Sequence, residues 1–322
     1  MAQSISDMTS VRQTSPGVYE SLQNAEHMGN TANIAYGGCT IGVAVSTAYE
    51  GVPGGYFLYS IMGDYLGPAL TDRNYVCRTE IVRRTRAFIT KCVHVKQRQD
   101  DGRERSCMIA LADFHLREPK SLLEYSAPPS MLYAGPEAQD DLSVTRQKLL
   151  EDGKISSQLA EMHAKTFGLM QRFIETRPCR EGIGAQTLMG AAKHLPTGQE
   201  HLPLHARTSA DWFRSRHSLD TPAEAASALA FVLDGAISFI PLTHSSMFLD
   251  DAGACSSLDF AFRLFTNDLK LEDWHLREIK TSAAGAGRTY GEACVWDSVG
   301  NMVASMTQTS IMRPKPETKP KM

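Results

Sequence analysis

The sequence lacks the closely spaced cysteine pairs of a disulfide scaffold or of a structural zinc site. Its seven cysteines are odd in number and scattered along the chain, and none belongs to a Cys-x-x-Cys pair. Small secreted scaffolds and zinc modules both depend on such pairs. We therefore expect a protein of a reducing compartment, with neither a disulfide framework nor a metal centre.

Long runs of one residue class are also missing. No run of about eighteen uncharged apolar residues is present, which argues against a membrane span, and the N-terminus has no signal-peptide core. The formal net charge is −3 without a long basic block, so nothing indicates binding to nucleic acid. The 322 residues are 42% hydrophobic and 21% charged, values typical of a globular chain long enough for two domains.

One carboxylate stands alone in the apolar run of residues 227–240. Asp234 has leucines and isoleucines at helical spacing on both sides. The helix start is well marked, because Thr221 suits the N-cap, Pro222 suits the first turn, and Glu224 completes a capping box. The pattern predicts that Asp234 lies inside a helix and away from water, where burial raises the pKa of a carboxyl unless donors hold its charge.

An internal repeat is indicated by matched spacings. Gly38 is separated from Asp234 by the same number of residues that separates Asp101 from Asp297. Asp101 and Asp297 each lie in a turn between two strand-like runs. Two residue pairs at one spacing predict two copies of a unit in which an antiparallel sheet packs on a helix.

The two copies differ at one polar position. At the same spacing, Gln308 in the second copy corresponds to Ala112 in the first. Because only the second copy carries the polar side chain, we expect one active site per tandem pair.

Motifs in both copies follow the order of a known family. Residues 35–41 (Ala-Tyr-Gly-Gly-Cys-Thr-Ile) contain an aromatic-Gly-Gly segment, residues 255–259 (Cys-Ser-Ser-Leu-Asp) place a hydroxyl before Leu-Asp, and residues 304–313 follow the pattern Ala-Ser-x-x-Gln-x-x-x-Met-Arg. Together with the helical Asp234, these motifs resemble the acyl-CoA thioesterase II (TesB-like) family over roughly residues 30–115 and 170–313, and the last motif is the most specific.

The resemblance implies a fold and a division of the chain. The fold is α+β, a tandem (double) hotdog in which two antiparallel sheets each wrap around a central helix. The expected parts are an N-terminal hotdog at 1–125, a linker with a helix at 126–170, a C-terminal hotdog at 171–313 and an exposed tail at 314–322. The sequence further predicts a helix break at Asp152-Gly153 and a mobile loop at 182–205.

The resemblance also implies an activity, the hydrolysis of an acyl-CoA thioester to free acid and CoA. It assigns Asp234, Ser257 and Gln308 to a site that positions and activates water. A carboxylate can act as the base, and an amide can donate one hydrogen bond while accepting another. Gly37 and Gly38 are expected to bind substrate, since backbone N–H groups at a helix N-terminus can meet an oxyanion. This chemistry needs no metal or other cofactor.

Cys39 is a departure from the family, which has glutamine after Gly-Gly. We expect Cys39 to contact the acyl group. A thiol at a helix N-terminus can also act as a nucleophile, but no histidine partner is evident, so a structural role is favoured. Residues 60–64 (Ser-Ile-Met-Gly-Asp) and 259–265 (Asp-Phe-Ala-Phe-Arg-Leu-Phe) also depart from the family pattern. These departures indicate a divergent member with a specialised acyl substrate, such as a biosynthetic acyl-CoA of a secondary pathway.

Two alternative functions stay open at this point. The first is a repurposed hotdog that binds an acyl thioester without hydrolysing it. The second is an enoyl-CoA hydratase or dehydratase, although such enzymes use an Asp-x-x-x-x-His dyad that this sequence does not contain. The identity of the acyl group is also open, as is its carrier, either CoA or a protein-bound pantetheine.

The C-terminus suggests a location. Pro320-Lys321-Met322 is a degenerate relative of the Ser-Lys-Leu peroxisomal address. It predicts recognition by a peroxisomal import receptor, and without that recognition we expect the protein in the cytoplasm. A tandem hotdog can work as a monomer, but members of the family often assemble further, so a homo-oligomer is also an open expectation.

Overall fold

The computed structural model describes residues 2–29 and 33–316, and these form the α+β architecture expected from the sequence. The helices are α1 (Ile5–Thr9), α2 (Gly37–Tyr49), α3 (Leu142–Glu151), α4 (Ser157–Phe173), α5 (Ile183–Gln186), α6 (Pro222–Leu233) and α7 (Ile240–His244). The strands are β1 (Val11–Ser15), β2 (Val18–Ser21), β3 (Tyr56–Tyr65), β4 (Val76–Arg84), β5 (Phe88–Arg98), β6 (Glu104–Leu116), β7 (Ile174–Pro178), β8 (Ser209–Ser215), β9 (Ala252–Ser257), β10 (Asp259–Leu264), β11 (His275–Gly285), β12 (Arg288–Trp296) and β13 (Met302–Pro314). None of the helices in this described part of the chain has the length and apolar character needed to cross a membrane.

The strands of the described residues pair into one continuous antiparallel sheet. Its order is β1-β2-β4-β5-β6-β3-β10-β13-β12-β11-β8-β7, and β9 pairs with β13. The two halves meet at the β3–β10 pair, where Met62 lies opposite Ala261. The two predicted sheets are therefore halves of one sheet, because the edge strand of each half pairs with that of the other and no unpaired edge is left between them.

Helices α2 and α6, one from each half, form the centre of the molecule. They run antiparallel, because Ser46 near the end of α2 hydrogen-bonds Ser227 near the start of α6, with an Oγ–Oγ distance of 2.9 Å. Small residues allow the helices to pack closely. A Cβ on Gly38, for example, would lie 2.7 Å from the carbonyl oxygen of Phe231. Both helices are almost entirely buried, so the sheet wraps around them as a common core.

The structure corrects both residue pairs of the predicted repeat. Gly38 lies at the start of α2 and Asp234 at the end of α6, so these residues belong to opposite helix ends and are not equivalent positions. The hairpin turns themselves correspond, but Asp297 is equivalent to Gln99 and not to Asp101. Gly102 and Gly300 both have positive φ, and each donates its N–H to the carbonyl of the residue three before it.

The strand register also corrects the residue that corresponds to Gln308. Gln308 lies opposite Gly291 in the second half, and Ala110 lies opposite Val93 in the first. Counted from the turn glycines, the equivalent of Gln308 is therefore Ala110 and not Ala112. The predicted asymmetry still holds, because Ala110 is also apolar.

The segment between the halves crosses the outside of the second half. After β6 the chain is extended and largely exposed as far as residue 135, and α3 and α4 follow with the predicted break between them. Helix α4 continues to Phe173, past the predicted boundary at 170. Two indole N–H groups anchor the extended part, since Trp296 donates to the Ala127 carbonyl (2.8 Å) and Trp212 to the Ala134 carbonyl (2.9 Å).

The predicted mobile loop at 182–205 is tied to the second half by hydrogen bonds. The Gln199 amide donates to the Glu181 carbonyl (2.9 Å) and accepts from the Thr208 N–H (2.8 Å). The loop begins with α5, which packs beside β8. This segment is therefore a folded insertion.

Candidate active site

Asp234 lies at the C-cap of α6, where the helix ends, and not in its interior as the sequence predicted. The helix begins as predicted, since Thr221 and Glu224 form the capping box and Pro222 occupies the first turn. Its last regular residue is Leu233, and the apolar sequence continues through turns towards α7. Asp234 is 6% exposed, so the predicted loss of contact with water is correct.

A buried arginine supports the end of α6. Arg277 on β11 donates through Nη1 to the carbonyl oxygens of Val232 (2.8 Å) and Gly235 (3.1 Å), on either side of Asp234. Its guanidinium also forms a salt bridge with Asp211, with an Nη2–Oδ2 distance of 2.6 Å. Carbonyl groups at a buried helix C-terminus need such partners. Arg277 therefore fixes the backbone that carries Asp234.

A tyrosine ties the start of α2 to the end of α6. Tyr36, the N-cap residue of α2, donates its hydroxyl to the Phe231 carbonyl at 2.6 Å. Its ring also packs edge-on against the Phe231 ring, with 5.0 Å between the centroids. The two helix ends are thereby held in one arrangement.

Three donors hold the Asp234 carboxylate. The Gln308 Nε2 lies 2.6 Å from Oδ1, the Tyr65 hydroxyl donates to the same oxygen at 3.0 Å, and the nearby Gly38 N–H also lowers the pKa of the carboxyl. Burial nevertheless raises the pKa of Asp234 to about 6, because the loss of water outweighs the three donors. A carboxyl with a pKa near neutrality can accept and return a proton at working pH.

Ser257 extends this hydrogen-bonded chain. It is the last residue of β9, and its hydroxyl donates to Oε1 of Gln308 at 3.0 Å. This bond fixes the amide orientation, since an amide oxygen can only accept and its nitrogen only donate. The structure thus brings together Ser257, Gln308 and Asp234, the three residues assigned to the site from the sequence. Their catalytic roles stay predictions.

The first residue of α2 faces the carboxylate. A Cβ on Gly37 would lie 2.8 Å from Oδ2 of Asp234 and 2.7 Å from the Tyr65 hydroxyl oxygen, too close for any side chain. Gly37 therefore allows the start of α2 to lie close against Oδ2 and the Tyr65 hydroxyl. The Gly38 N–H lies near the carboxylate and lowers its pKa, and the predicted role of this N–H towards an oxyanion stays a prediction.

Cys39 lies behind this surface, in the core. It is 0% exposed, and its Sγ is 3.7 Å from the Glu26 carbonyl oxygen. Burial raises the pKa of the Cys39 thiol to about 12, so the thiol stays protonated near neutral pH and is a poor nucleophile. Of the three residues predicted to bind substrate, Gly37 lines the cavity described next, and Gly38 and Cys39 do not.

A cavity of about 470 Å³ adjoins the carboxylate, a volume suited to a small-molecule ligand. Both halves contribute to it. Its lining consists of Met28, Gly29, Ile34, Ala35, Tyr36, Gly37, Thr40, Tyr65, Leu66, Gly67, Pro68, Ala69, Phe167, Asp234, Ala236, Ser238, Phe239, Leu249, Cys255, Ser256, Ser257, Leu258 and Ile311. Among these described residues, Asp234 is the one with a charged side chain. No residue of the insertion at 182–205 belongs to the lining.

Sequence reasoning missed two polar residues of the site. Tyr65 ends β3, directly after the divergent residues 60–64, and nothing in the sequence alone distinguishes it from an ordinary strand tyrosine. Arg277 had a clearer signal, because strand alternation places it on the same face as the apolar Ile279. A lone cation on an apolar strand face indicates a buried partner, which here is Asp211.

Two models of one protein family match this chain. Residues 24–115 match the acyl-CoA thioesterase N-terminal domain, and residues 160–312 match the acyl-CoA thioesterase C-terminal domain. Together the matches span well over half of the chain and fall on the two structural halves. Curated protein sequences gave no significant match.

Solved structures share the fold at low sequence identity. A tesB protein from Mycobacterium avium subsp. paratuberculosis aligns with a TM-score of 0.69 at 14% identity, over 96% of this chain and 98% of its own. The acyl-CoA thioesterase II TesB2 from Mycobacterium marinum aligns with a TM-score of 0.67 at 18% identity, over 98% and 99% of the two chains. A hot dog fold protein of unknown function from Alicyclobacillus acidocaldarius aligns with a TM-score of 0.67 at 14% identity, over 97% and 99%. These likenesses confirm the predicted double hotdog. With the family matches, they identify the chain as a divergent, TesB-like member of the acyl-CoA thioesterase family.

Proposed function

We propose that this protein hydrolyses an acyl-CoA thioester to a free acid and CoA, with Asp234 as the general base. Membership in an acyl-CoA thioesterase family supports the reaction. The observation that carries the residue assignment is the Asp234 carboxylate itself. It is buried, its pKa is raised to about 6, and it adjoins a cavity whose other lining residues are uncharged.

The attacking water is held beside Oδ2 of Asp234. Oδ1 already accepts from Gln308 and Tyr65, whereas Oδ2 accepts from neither, and Asp234 lines the cavity. Asp234 takes a proton from the water while the water oxygen attacks the thioester carbonyl carbon. Ser257 acts through Gln308, because its hydroxyl keeps the amide nitrogen directed at the carboxylate.

The attack produces a tetrahedral intermediate with negative charge on the former carbonyl oxygen. The N-terminus of α2, which begins at Gly37, offers its partial positive charge to this oxygen. When the intermediate collapses, the C–S bond breaks and the sulfur leaves with the electron pair. The proton held by Asp234 passes to the sulfur, which restores the carboxylate. One water is consumed per thioester.

The acyl group is uncharged and largely apolar. No lysine, arginine or histidine lines the cavity among the described residues, so a carboxylate on the acyl chain would meet Asp234 without a counter-charge. The apolar lining residues, such as Phe167, Phe239 and Leu249, favour aliphatic or aromatic acyl chains. The departures from the family pattern support a specialised acyl substrate.

The test is product formation from a panel of neutral short, long, branched and aromatic acyl-CoAs. Wild type is compared with Asp234→Asn and with Asp64→Asn, a control that removes an exposed carboxylate outside the cavity lining. Loss of a general base lowers the rate about 100- to 10,000-fold, so we expect turnover to collapse in Asp234→Asn and to persist in Asp64→Asn. Full turnover by folded Asp234→Asn would refute the assignment.

The same panel separates the alternative functions. Tight binding of an acyl-CoA by wild type without turnover would identify a repurposed hotdog. Conversion of an enoyl-CoA to a hydroxyacyl-CoA, with the thioester intact, would identify a hydratase. Release of free acid from acyl-CoA but not from an acylated carrier protein would assign CoA as the carrier.

We also propose that the protein is imported into peroxisomes through Pro320-Lys321-Met322. This tripeptide lies outside the described residues, and its support is the resemblance to the peroxisomal address. A fluorescent protein carrying the last twelve residues of this chain should concentrate in peroxisomes, and the same fusion without the final three residues is the control. Diffuse cytosolic fluorescence of the complete fusion would remove the proposal.

A further inference from the structure

A second cluster of chemically reactive side chains lies in the first half, apart from the cavity. Among the described residues, it is the one group of at least three His, Cys, Asp or Glu side chains whose ligand atoms all lie within 4.8 Å of one another. It consists of Glu80 on β4 and Cys92 and His94 on β5. None of the three lines the cavity beside Asp234.

The strand pairing brings these side chains to one face of the sheet. Cys92 and His94 are two residues apart on β5, so their side chains point the same way, and Glu80 lies directly opposite Cys92 on β4. The intervening Val93 belongs to the core around α2, so the cluster lies on the outer face of the sheet. This placement is set by backbone hydrogen bonds and does not require a loop to move.

The distances suit a tetrahedral metal ion. Sγ of Cys92 lies 3.5 Å from Nε2 of His94. Zinc binds thiolate sulfur at about 2.3 Å and imidazole nitrogen at about 2.0 Å, and at a tetrahedral angle these bond lengths place the two ligand atoms about 3.5 Å apart. Glu80 is exposed, and one of its carboxylate oxygens lies within 4.8 Å of both of these atoms.

The charges of the cluster also suit a divalent ion. One thiolate, one carboxylate and one neutral imidazole balance a charge of +2. Burial, together with the nearby Glu80 carboxylate, raises the pKa of the Cys92 thiol, so a metal ion must displace the thiol proton as it binds. Arg78 lies opposite His94 and would repel a cation, but its guanidinium is engaged by both carboxylate oxygens of Glu104.

We propose that Glu80, Cys92 and His94 form a binding site for a zinc-class divalent transition metal, with water as the fourth ligand. The bound ion would join β4 to β5 on the outer face of the sheet. Three protein ligands and one open position characterise zinc sites that keep an exchangeable water. The expectation from sequence that there is no metal centre was based on the lack of Cys-x-x-Cys pairs. Here the ligands form Cys-x-His plus a glutamate from a neighbouring strand.

The test is a titration of the purified, chelator-treated full chain with Co²⁺ under a non-thiol reductant, followed by displacement with Zn²⁺. We expect one equivalent of Co²⁺ to bind and to produce a sulfur-to-cobalt charge-transfer band, which Zn²⁺ then removes. Cys92→Ser should abolish the band. His94→Gln and Glu80→Gln should each weaken binding by more than about tenfold, since even the loss of a second-shell partner weakens metal affinity by that much. Cys294→Ser is the matched control, because Cys294 is another partly buried strand thiol with a carboxylate, Glu292, close by.

Thermal unfolding provides a second readout that is independent of hydrolysis. Zn²⁺ should raise the midpoint for wild type and Cys294→Ser, because a ligand that binds only the folded state stabilises it. Cys92→Ser should show no rise while unfolding cooperatively. An unchanged charge-transfer band in Cys92→Ser, or no saturable binding at one equivalent in wild type, would overturn the proposal.

Discussion

The activity of this protein should fall about tenfold in kcat/KM between about pH 7 and about pH 5, because Asp234 must be ionised to accept a proton. The perturbation is the pH alone. Burial raises the pKa of Asp234 from 3.8 to about 6. The acid limb of the pH profile therefore reports directly on whether this buried carboxyl is the base.

The magnitude follows from the ionised fraction. With a pKa of about 6, about nine-tenths of Asp234 is ionised at about pH 7 and about one-tenth at about pH 5. An aspartate with an ordinary pKa near 3.9 would stay more than about nine-tenths ionised over the whole interval and give a flat profile. The two cases differ by an order of magnitude in rate at the acid end.

The assay has to separate the enzyme from its substrate, because the phosphate monoester of CoA itself loses a proton near pH 6. The profile is therefore recorded twice, once with an acyl-CoA and once with the same acyl group on pantetheine, which has no phosphate. Free acid is quantified by chromatography, since thiol reagents are themselves sensitive to pH. Circular dichroism at each pH confirms that the protein remains folded.

A flat profile with the pantetheine thioester, on folded protein, would refute Asp234 as a base with a raised pKa. A limb near pH 6 with both substrates supports it. An acid limb seen with the CoA ester alone would show that the titrating group is the phosphate of the substrate. The assignment of Asp234 as the base would then be wrong.

Three substitutions test the surroundings of the carboxylate. Gly37→Ala should lower turnover at least about tenfold without unfolding the protein, because the new Cβ would lie 2.8 Å from Oδ2 of Asp234. Gly54→Ala is the control and should leave turnover unchanged, because its Cβ would have nothing within 4 Å. Equal turnover by the two variants would contradict this reasoning. Tyr65→Phe removes a hydrogen-bond donor that lowers the pKa of Asp234, so the acid limb of the pH–activity profile should move to higher pH. An unmoved acid limb would show that this hydrogen bond does not stabilise the Asp234 carboxylate. The free energy of unfolding of wild type, relative to that of Asp234→Asn, should fall by about 3 kcal/mol as pH rises from below about 4 to above about 6. The reason is that in this pH window Asp234 holds a proton in the folded state that it has released in the unfolded state. Urea unfolding of both proteins across this range measures the difference, and a constant difference would contradict the prediction.

The parts of the fold that follow from local rules could be predicted from the sequence. The start of α6 is set by Thr221, Pro222 and Glu224, which act within one turn of chain, and it lies where the capping box predicts. The turn at Gly300 likewise depends on a few adjacent residues. The order of Asp234, Ser257 and Gln308 along the chain matched a family pattern, and the structure joins them by hydrogen bonds.

The features that sequence reasoning missed depend on contacts between distant segments. The apolar run after Leu233 continues at helical spacing, so periodicity alone predicts a longer helix. The helix ends earlier because Arg277 takes up the carbonyls of Val232 and Gly235, and because Ala236 adopts a positive φ. The pairing of β3 with β10 also depends on a contact between distant segments. The alternating pattern of a strand does not specify which other strand it will pair with.

The antiparallel packing of α2 and α6 gives the helix pair two ends, and the proposed site lies at one of them. The helix pair has a second, equivalent end, where Glu50 is the C-cap of α2 as Asp234 is the C-cap of α6, and a cavity of about 430 Å³ lies there too. That end lacks the side chains and the free N–H group of the proposed site. Glu50 is exposed, Pro222 occupies the first helical position that corresponds to Gly37 and has no N–H to offer, and the residue equivalent to Gln308 is Ala110.

A second site of the proposed kind at that end would require a buried carboxylate, a free helix N-terminus and a polar strand residue together. Any one change alone would place a polar group without its partners, which costs stability and adds no catalysis. The three requirements are therefore coupled. With Glu50, Pro222 and Ala110 in the corresponding places, the second end meets none of them, and the proposed site is complete at one end of the helix pair.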